Sequence, residues 1–254
     1  ILDSDVLLPE GYLAAVNAEL NASLCDAFGG PDRAHSSFTP MQKAINYAMT
    51  SFFTTGGIRG QKKGMDKFYP RSFNMGVRRD VYQALGGFSN MRFGEDIDFS
   101  TRIFKGGYRC RLFPDAWVYH KRRTDLRKFF KQVHNSGIAR IHLSRRHLGT
   151  HKLVHLLPAV FTLGVLFLLL CAVVLAVFGH GCLALAALSP LLLFSLLIGI
   201  DATRREHSLG VGGRAVAAAF VQLLGYGSGY LRAWWQCRVL HSGEFEAFSD
   251  SFYQ

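Results

Sequence analysis

The sequence predicts an α/β unit over about residues 1–150, followed by an α-helical membrane region over residues 151–238 and a tail over residues 239–254. Two observations predict this order. Segments with helical or strand-like periodicity fill the first part, whereas uncharged runs long enough to cross a bilayer fill the second. With 254 residues, 49% of them hydrophobic, and a formal net charge of +11, two compact units fit better than one.

The chain begins with an apolar pair that reads as the end of a buried strand, followed by Asp3 and Asp5. In an extended segment, side chains two residues apart point to the same side, so both carboxylates could face one Mg²⁺ or Mn²⁺ ion. The same pattern is common in surface turns. Because the chain starts on a strand end, we expect an amino-terminally truncated sequence that lacks the upstream strands.

Apolar residues at helical spacing predict helices over residues 9–24, 41–53 and 79–85, and residues 72–77 predict a short buried strand. Residues 26–39, which contain Gly29, Gly30 and Pro31, predict a loop.

A further segment, residues 54–64, is glycine-rich and basic. It could cradle an anion or form an ordinary flexible loop.

A second group of acids, Glu95, Asp96 and Asp98, lies at the start of a predicted helix. Carboxylates there can be caps that the helix dipole favours, or one of them can act as a general base. A β-type segment over residues 108–119 then ends at His120, whose imidazole could complete the metal site or simply cap a strand.

Three apolar runs predict membrane spans over about residues 156–178, 182–200 and 215–231. The first two are separated by a turn so short that they form an antiparallel hairpin. The third run is shorter and contains Gln222 and several glycines, so it either crosses the membrane or forms a re-entrant or interfacial helix.

The segment over residues 121–152 carries many basic residues and a single acid, Asp125. This excess of positive charge predicts that the side of the membrane before the first span is cytoplasmic. Because these charges crowd against a membrane span, they argue against nucleic-acid binding. Five scattered cysteines support neither a zinc site nor a disulfide framework. A transporter is disfavoured as well, because the spans contain no acid or base.

The order and spacing of the motifs resemble the catalytic half of a family 2 glycosyltransferase. The resemblance covers residues 1–143 and is closest to membrane-anchored bacterial enzymes of exopolysaccharide and cell-envelope glycan synthesis, of the succinoglycan type. The motifs are Asp3-Ser4-Asp5, Ser72-Phe73-Asn74-Met75-Gly76-Val77-Arg78-Arg79, Gly86-Gly87-Phe88, Gly94-Glu95-Asp96-Ile97-Asp98, Gly106-Gly107-Tyr108 and Val118-Tyr119-His120.

This resemblance implies a GT-A (Rossmann-like) fold, a nucleotide-sugar donor, a Mg²⁺ or Mn²⁺ cofactor and inversion at the anomeric carbon. Asp5 would bind the metal on the diphosphate, and Asp3 would support the metal or the ribose. Asp96 would deprotonate the acceptor hydroxyl, and Glu95 would shape the acceptor site. His120 would provide a further metal or diphosphate contact.

The resemblance also places Asn74, Gln132 and Arg140 among the donor-binding residues. Processive relatives carry a Gln-x-x-Arg-Trp motif near Gln132 and Arg140, but here the spacing differs and the Trp is missing, which leaves processivity in doubt.

The implied partners are a lipid-linked or growing glycan acceptor and membrane lipids, at the cytoplasmic face of a bacterial inner membrane. Family members have an amino-terminal half that binds the base and ribose of the donor. This chain is expected to lack that half and therefore to be inactive alone. A non-catalytic membrane scaffold that retains a glycosyltransferase remnant is the alternative.

Overall fold

The structure is a computed structural model that describes residues 1–55, 69–91 and 93–241. Most of the glycine-rich segment and the end of the tail, residues 56–64 and 242–254, therefore lie outside the described residues. The chain forms two compact units. The first consists of Ile1–Phe38, Gly60–Arg122 and Arg145–His147, and the second of Thr39–Arg59, Arg123–Ser144 and Leu148–Gln254.

One three-stranded sheet of the first unit carries the amino-terminal acids. Strand β1 (Val6–Leu7) pairs antiparallel with β6 (Val118–His120), which also pairs in parallel with β3 (Asp32–Arg33). Val6 lies opposite His120 in this register. The sheet therefore fixes the residue just before β1, Asp5, beside the end of β6.

The other sheet has β2 (Ala27–Gly29) at its centre, antiparallel to β4 (Met75–Val77) and parallel to β5 (Cys110–Leu112). Helix α5 (Glu95–Lys105) supplies Phe99 and Ile103, which are fully buried in one cluster with Ala27 and Met75. This packing holds the start of α5 in place, because the buried side of the helix is fixed against the hydrophobic core.

The remaining helices of the first unit are α1 (Tyr12–Ala22) and α4 (Arg79–Ala84). Both lie within the predicted helical segments and are shorter than predicted. Helix α1 packs Tyr12, Val16 and Leu20 against a cluster that includes Phe113 and Val118.

One prediction of local structure was wrong, because the predicted loop over residues 26–39 contains β2 and β3. The β-type segment predicted over residues 108–119 holds β5 and the start of β6. Of the two alternatives for the acids at the chain start, an extended segment and a turn, the structure has the turn: Ser4 and Asp5 form it, and the Val6 amide donates to the Asp3 carbonyl at 3.4 Å. The turn, rather than strand alternation, sets the direction of the two carboxylates.

All the regular elements among the described residues of the second unit are helices. Helix α2 (Pro40–Thr50) begins at a Thr39–Gln42 capping box, followed by α3 (Phe52–Thr55). The later helices are α6 (Leu126–Arg146), a 3₁₀ turn (Leu153–His155), α7 (Leu157–Val177), α8 (Gly181–Glu206) and α9 (Leu209–Arg238). Helix α6 belongs to this unit as far as Ser144.

Three helices among the described residues are long and apolar enough to cross a membrane: Leu153–Val177, Gly181–Glu206 and Leu209–Arg238. The first two expose most of their large apolar side chains, as expected of helices that face lipid. The third extends beyond the predicted run of residues 215–231 at both ends.

Candidate active site

The first unit brings Asp3, Asp5 and His120 together, although 115 positions separate the second acid from the histidine. One ligand atom from each residue lies within 4.8 Å of the others. His120 Nε2 is 3.3 Å from Asp5 Oδ1. The Lys121 amide also donates to the Asp5 carbonyl at 3.2 Å, which ties the turn to the end of β6.

The imidazole of His120 is held on one side by the Phe73 ring, with centroids 4.9 Å apart. Burial lowers the pKa of His120, and Arg122 adds to this effect, whereas Asp5 and Asp32 oppose it. The ring is therefore favoured in the neutral form, which is the form that binds a metal.

Asp32 and Arg122 complete the surroundings of this site, and sequence reasoning missed both. Arg122 is buried and its guanidinium lies 2.5 Å from Asp32 Oδ2. The same carboxylate is 3.9 Å from His120 Nδ1. Asp32 lies in the segment predicted as a loop, and no local pattern indicates that it pairs with the strand that ends at His120.

Two carboxylates and a neutral imidazole are a suitable ligand set for Mn²⁺ or Mg²⁺, because hard divalent cations prefer oxygen ligands and Mn²⁺ also accepts nitrogen. Asp3 and His120 are half-buried and Asp5 is exposed, so the group is open to solvent on one side. A phosphate oxygen could reach a cation there. The residues present thus fit the expected metal.

The second part of the predicted site is the start of α5. Gly94 precedes the helix with φ of 83°, a left-handed conformation that glycine adopts without strain. Asp96 follows, with 9% of its surface exposed. Its Oδ1 accepts from the Ile97 amide at 2.8 Å and its Oδ2 lies 3.1 Å from Arg71 Nε. Arg71 is a further residue that sequence reasoning missed.

The pKa of Glu95 is affected by charged groups from both parts of the site. Burial raises the pKa of Glu95, and the negative charges of Asp96 and Asp3 raise it further, against the opposing effect of Arg71. Asp3 is therefore close enough to act on the start of α5. The acids of the two motifs lie in one region of the first unit.

Asn74, predicted among the donor-binding residues, lies inside the first unit. Its side chain is fully buried, accepts from the Tyr12 hydroxyl at 2.6 Å and donates to the Ala116 carbonyl at 2.8 Å. Asn74 also forms a β-bridge with Leu2. Both polar groups of the Asn74 side chain are thus used inside the first unit, and the residue positions the segment that precedes Asp3. Its expected role in donor binding stays a prediction.

Asp98, two residues after the predicted base, is a structural residue. Only 3% of its side chain is exposed, and it accepts hydrogen bonds from three donors: Ser89 Oγ at 2.8 Å, Arg102 Nε at 2.9 Å and the His147 ring at 2.8 Å. Burial acts to raise the pKa of Asp98, but these hydrogen bonds outweigh it and hold the pKa below its usual value of 3.8.

Gln132 and Arg140 lie on α6, within the second unit. Both are half-buried, and Gln132 Oε1 and Arg140 Nε are buried without a hydrogen-bond partner among the described residues. The Arg140 side chain also bonds to Tyr226 on α9. Their expected role in donor binding stays a prediction.

Comparison with known protein families finds one match. The profile of the family described as "Glycosyl transferase family group 2" matches residues 1–199, which include both acidic motifs, His120, α7 and most of α8. No curated protein matches the chain. Since the match covers most of the sequence, the chain belongs to glycosyl transferase family group 2.

Proposed function

We propose that this glycosyltransferase is an inverting enzyme with a GT-A fold that transfers a sugar from a nucleotide-sugar donor to a lipid-linked or growing glycan acceptor. The transfer takes place at the cytoplasmic face of a bacterial inner membrane, in polysaccharide or cell-envelope synthesis. The observation that carries the proposal is the convergence of Asp3, Asp5 and His120 in the same unit as Glu95 and Asp96.

Asp3, Asp5 and His120 hold the divalent cation in this proposal. A bound Mg²⁺ or Mn²⁺ would offset the negative charge that develops on the departing nucleoside diphosphate. The Phe73 ring fixes the plane of the His120 imidazole. Nε2 of that ring faces Asp5, and Asp32 Oδ2 lies 3.9 Å from Nδ1 on the other side.

Asp96 takes the proton from the acceptor hydroxyl. As that proton moves to the carboxylate, the hydroxyl oxygen bonds to the anomeric carbon from the face opposite the diphosphate. The bond from that carbon to the diphosphate oxygen breaks with its electron pair, so the anomeric configuration inverts. Arg71 and the Ile97 amide hold the carboxylate of Asp96 in a defined orientation before the acceptor binds.

The proposal is tested with membranes from cells that express the protein. A panel of nucleotide sugars is supplied with Mn²⁺ or Mg²⁺, and both donor hydrolysis and sugar transfer are measured. We expect turnover with at least one donor, and its loss on chelation of the metal. No turnover with any donor by a folded, membrane-inserted protein would favour the scaffold alternative.

Metal binding provides a prediction that is independent of turnover. Asp5→Asn is expected to weaken Mn²⁺ binding by more than about 100-fold, since loss of even an outer-shell partner costs about 10–100-fold. The measurement is titration of the purified protein with Mn²⁺, followed by the electron paramagnetic resonance signal of the free ion. Asp115→Asn is the matched control, because Asp115 is an exposed acid of the same unit outside the cluster. Equal affinities of the two variants would contradict the site.

A further inference from the structure

The membrane hairpin of α7 and α8 provides a scale for depth within the second unit. The two helices are joined by a turn at residues 178–180, and the Phe161 ring lies 5.2 Å from the Phe194 ring. At about 1.5 Å per residue in each helix, the first turns of α7 are therefore level with residues of about 194–202 on α8. This level is the cytoplasmic end of the hairpin in the orientation argued above.

Helix α9 meets the hairpin first at Gly212. A Cβ atom at this position would lie 2.9 Å from the Gly199 carbonyl oxygen and 3.2 Å from Thr203 Cβ, so the backbone of α9 contacts α8 directly. Both partners belong to the last turns of α8. The beginning of α9 is therefore level with the first turn of α7.

Fifteen residues later, α9 meets the hairpin again at Gly227. A Cβ atom there would lie 2.8 Å from the carbonyl carbon of Pro158 and would also clash with Thr162, so the contact is with the first turns of α7. Between the two glycines α9 runs about 22 Å along its own axis. The level along the hairpin changes by only about 9 Å over the same stretch. Helix α9 therefore crosses α7 and α8 at a steep angle instead of running alongside them.

Other parts of the α9 surface are covered by α2 and α6, both of which carry charged residues. Ala215, Ala218 and Ala219 are fully buried in a cluster with Ala44 and Ile45 of α2. Further along, the contacts are with α6: a Cβ atom on Gly137 would lie 2.8 Å from the Tyr230 amide nitrogen, and one on Gly225 would lie 2.5 Å from a Val133 methyl group.

Helix α6 does not belong in a hydrocarbon environment. Its second-unit part carries four Lys and Arg residues and no acid, namely Arg127, Lys128, Lys131 and Arg140. If α9 crossed the bilayer, α6 would be carried into it along with α9, which is unfavourable for each such charge near the bilayer centre. The packing therefore places α9 at the level where α6 remains in contact with water.

We propose that α9 lies in the plane of the membrane surface, across the cytoplasmic end of the hairpin, with the lipid headgroup region as its partner. The chain then crosses the membrane twice, and the end of α9 returns to the side of α6. Near this end the helix exposes aromatic and basic residues, which suit the lipid–water interface. These residues are Trp234, Trp235, Arg232 and Arg238.

The proposal also explains why α9 resembles a membrane span in composition. In its most apolar 18-residue window 39% of the residues are buried inside the protein, against 17% for the α7 segment and 11% for α8. Apolar residues on several sides of α9 are used for packing against other helices rather than against lipid. A helix that is apolar all round is buried, and either protein or lipid can bury it.

The side of the membrane on which α9 ends tests the proposal. In the full chain with its five native cysteines replaced by Ala, single cysteines are introduced by Arg238→Cys at the end of α9, Arg127→Cys on α6 and His180→Cys in the hairpin turn. All three native residues are exposed. A membrane-impermeant maleimide is then applied to spheroplasts and to inverted vesicles. The labelling does not depend on transfer activity, so it is independent of the proposed function.

We expect position 238 to react from the same side as position 127 and from the side opposite to position 180. Reaction of position 238 together with position 180 would mean three crossings and would overturn the proposal. A reporter enzyme fused after Gln254 repeats the measurement without cysteine chemistry. Activity of that reporter on the cytoplasmic side is expected, and activity on the outer side would overturn the proposal equally.

Discussion

Asp96→Asn is expected to lower kcat for sugar transfer by about 10²–10⁴-fold, the usual contribution of a positioned general base. An amide has nearly the shape of the carboxylate but cannot accept the proton of the acceptor hydroxyl. Asn still accepts a hydrogen bond from the Ile97 amide through its side-chain oxygen, so the start of α5 is expected to keep its structure. The measurement is transfer rate at saturating donor and acceptor, in membranes containing equal amounts of each protein.

A measurement of donor binding distinguishes loss of the general base from disruption of the whole binding site. The Asp96→Asn variant is expected to keep its affinity for Mn²⁺ and for the nucleotide sugar, because Asp3, Asp5 and His120 are untouched. The matched control is Asp80→Asn, since Asp80 is an exposed acid at the start of another helix of the first unit, α4. Transfer by Asp96→Asn at the control rate would remove Asp96 as the base.

Asp98→Ala is expected to destabilise the first unit by about 3–5 kcal/mol, because it leaves buried donors without their acceptor. Asp98 joins Ser89 and Arg102 to the His147 ring, and Arg102 also donates to the Leu85 and Gly87 carbonyls at 2.6 Å each. The measurement is the urea midpoint of unfolding in detergent, followed by protease resistance of the first unit. Unchanged resistance would show that this network does not stabilise the fold.

The stabilisation of the first unit by Asp98 is expected to decrease in acid. The pKa of Asp98 is lower in the folded state than its usual 3.8, so its stabilising contribution is complete above that value and is lost as the pH falls through the folded pKa. The difference in stability between wild type and Asp98→Asn is therefore expected to be constant near neutral pH and to shrink in acid below pH 3.8. A difference that grew in acid would contradict this assignment.

These two predictions separate two acids that the sequence alone presents as equivalent members of one motif. Both lie in the first turn of α5, and both are buried. Their partners differ, since Asp96 is paired with the partly exposed Arg71, whereas Asp98 is enclosed by three donors. Periodicity locates a helix and its acids but does not show which other segments of the chain surround each acid.

The segments with strong local signals were predictable from sequence. Helices α7 and α8 occupy the first two predicted spans, because a long uncharged run has few alternatives to a helix in an apolar environment. The family resemblance drawn from the motif order is confirmed at the level of family 2. Strand β2 was missed because Gly29, Gly30 and Pro31 indicate a loop. Its pairing with β4 and β5 outweighs that local preference.

The sequence by itself therefore determined the family, the hairpin of two long apolar helices and the residue types of the proposed metal site and base. Only the tertiary structure decided that Asp3, Asp5 and His120 converge, that Asp32 lies beside His120 and Arg71 beside Asp96, and that Asn74 is internal. It also decided that α9 packs across the hairpin. The physical reason is the same in each case: composition specifies what a side chain can do, whereas long-range packing specifies its neighbours.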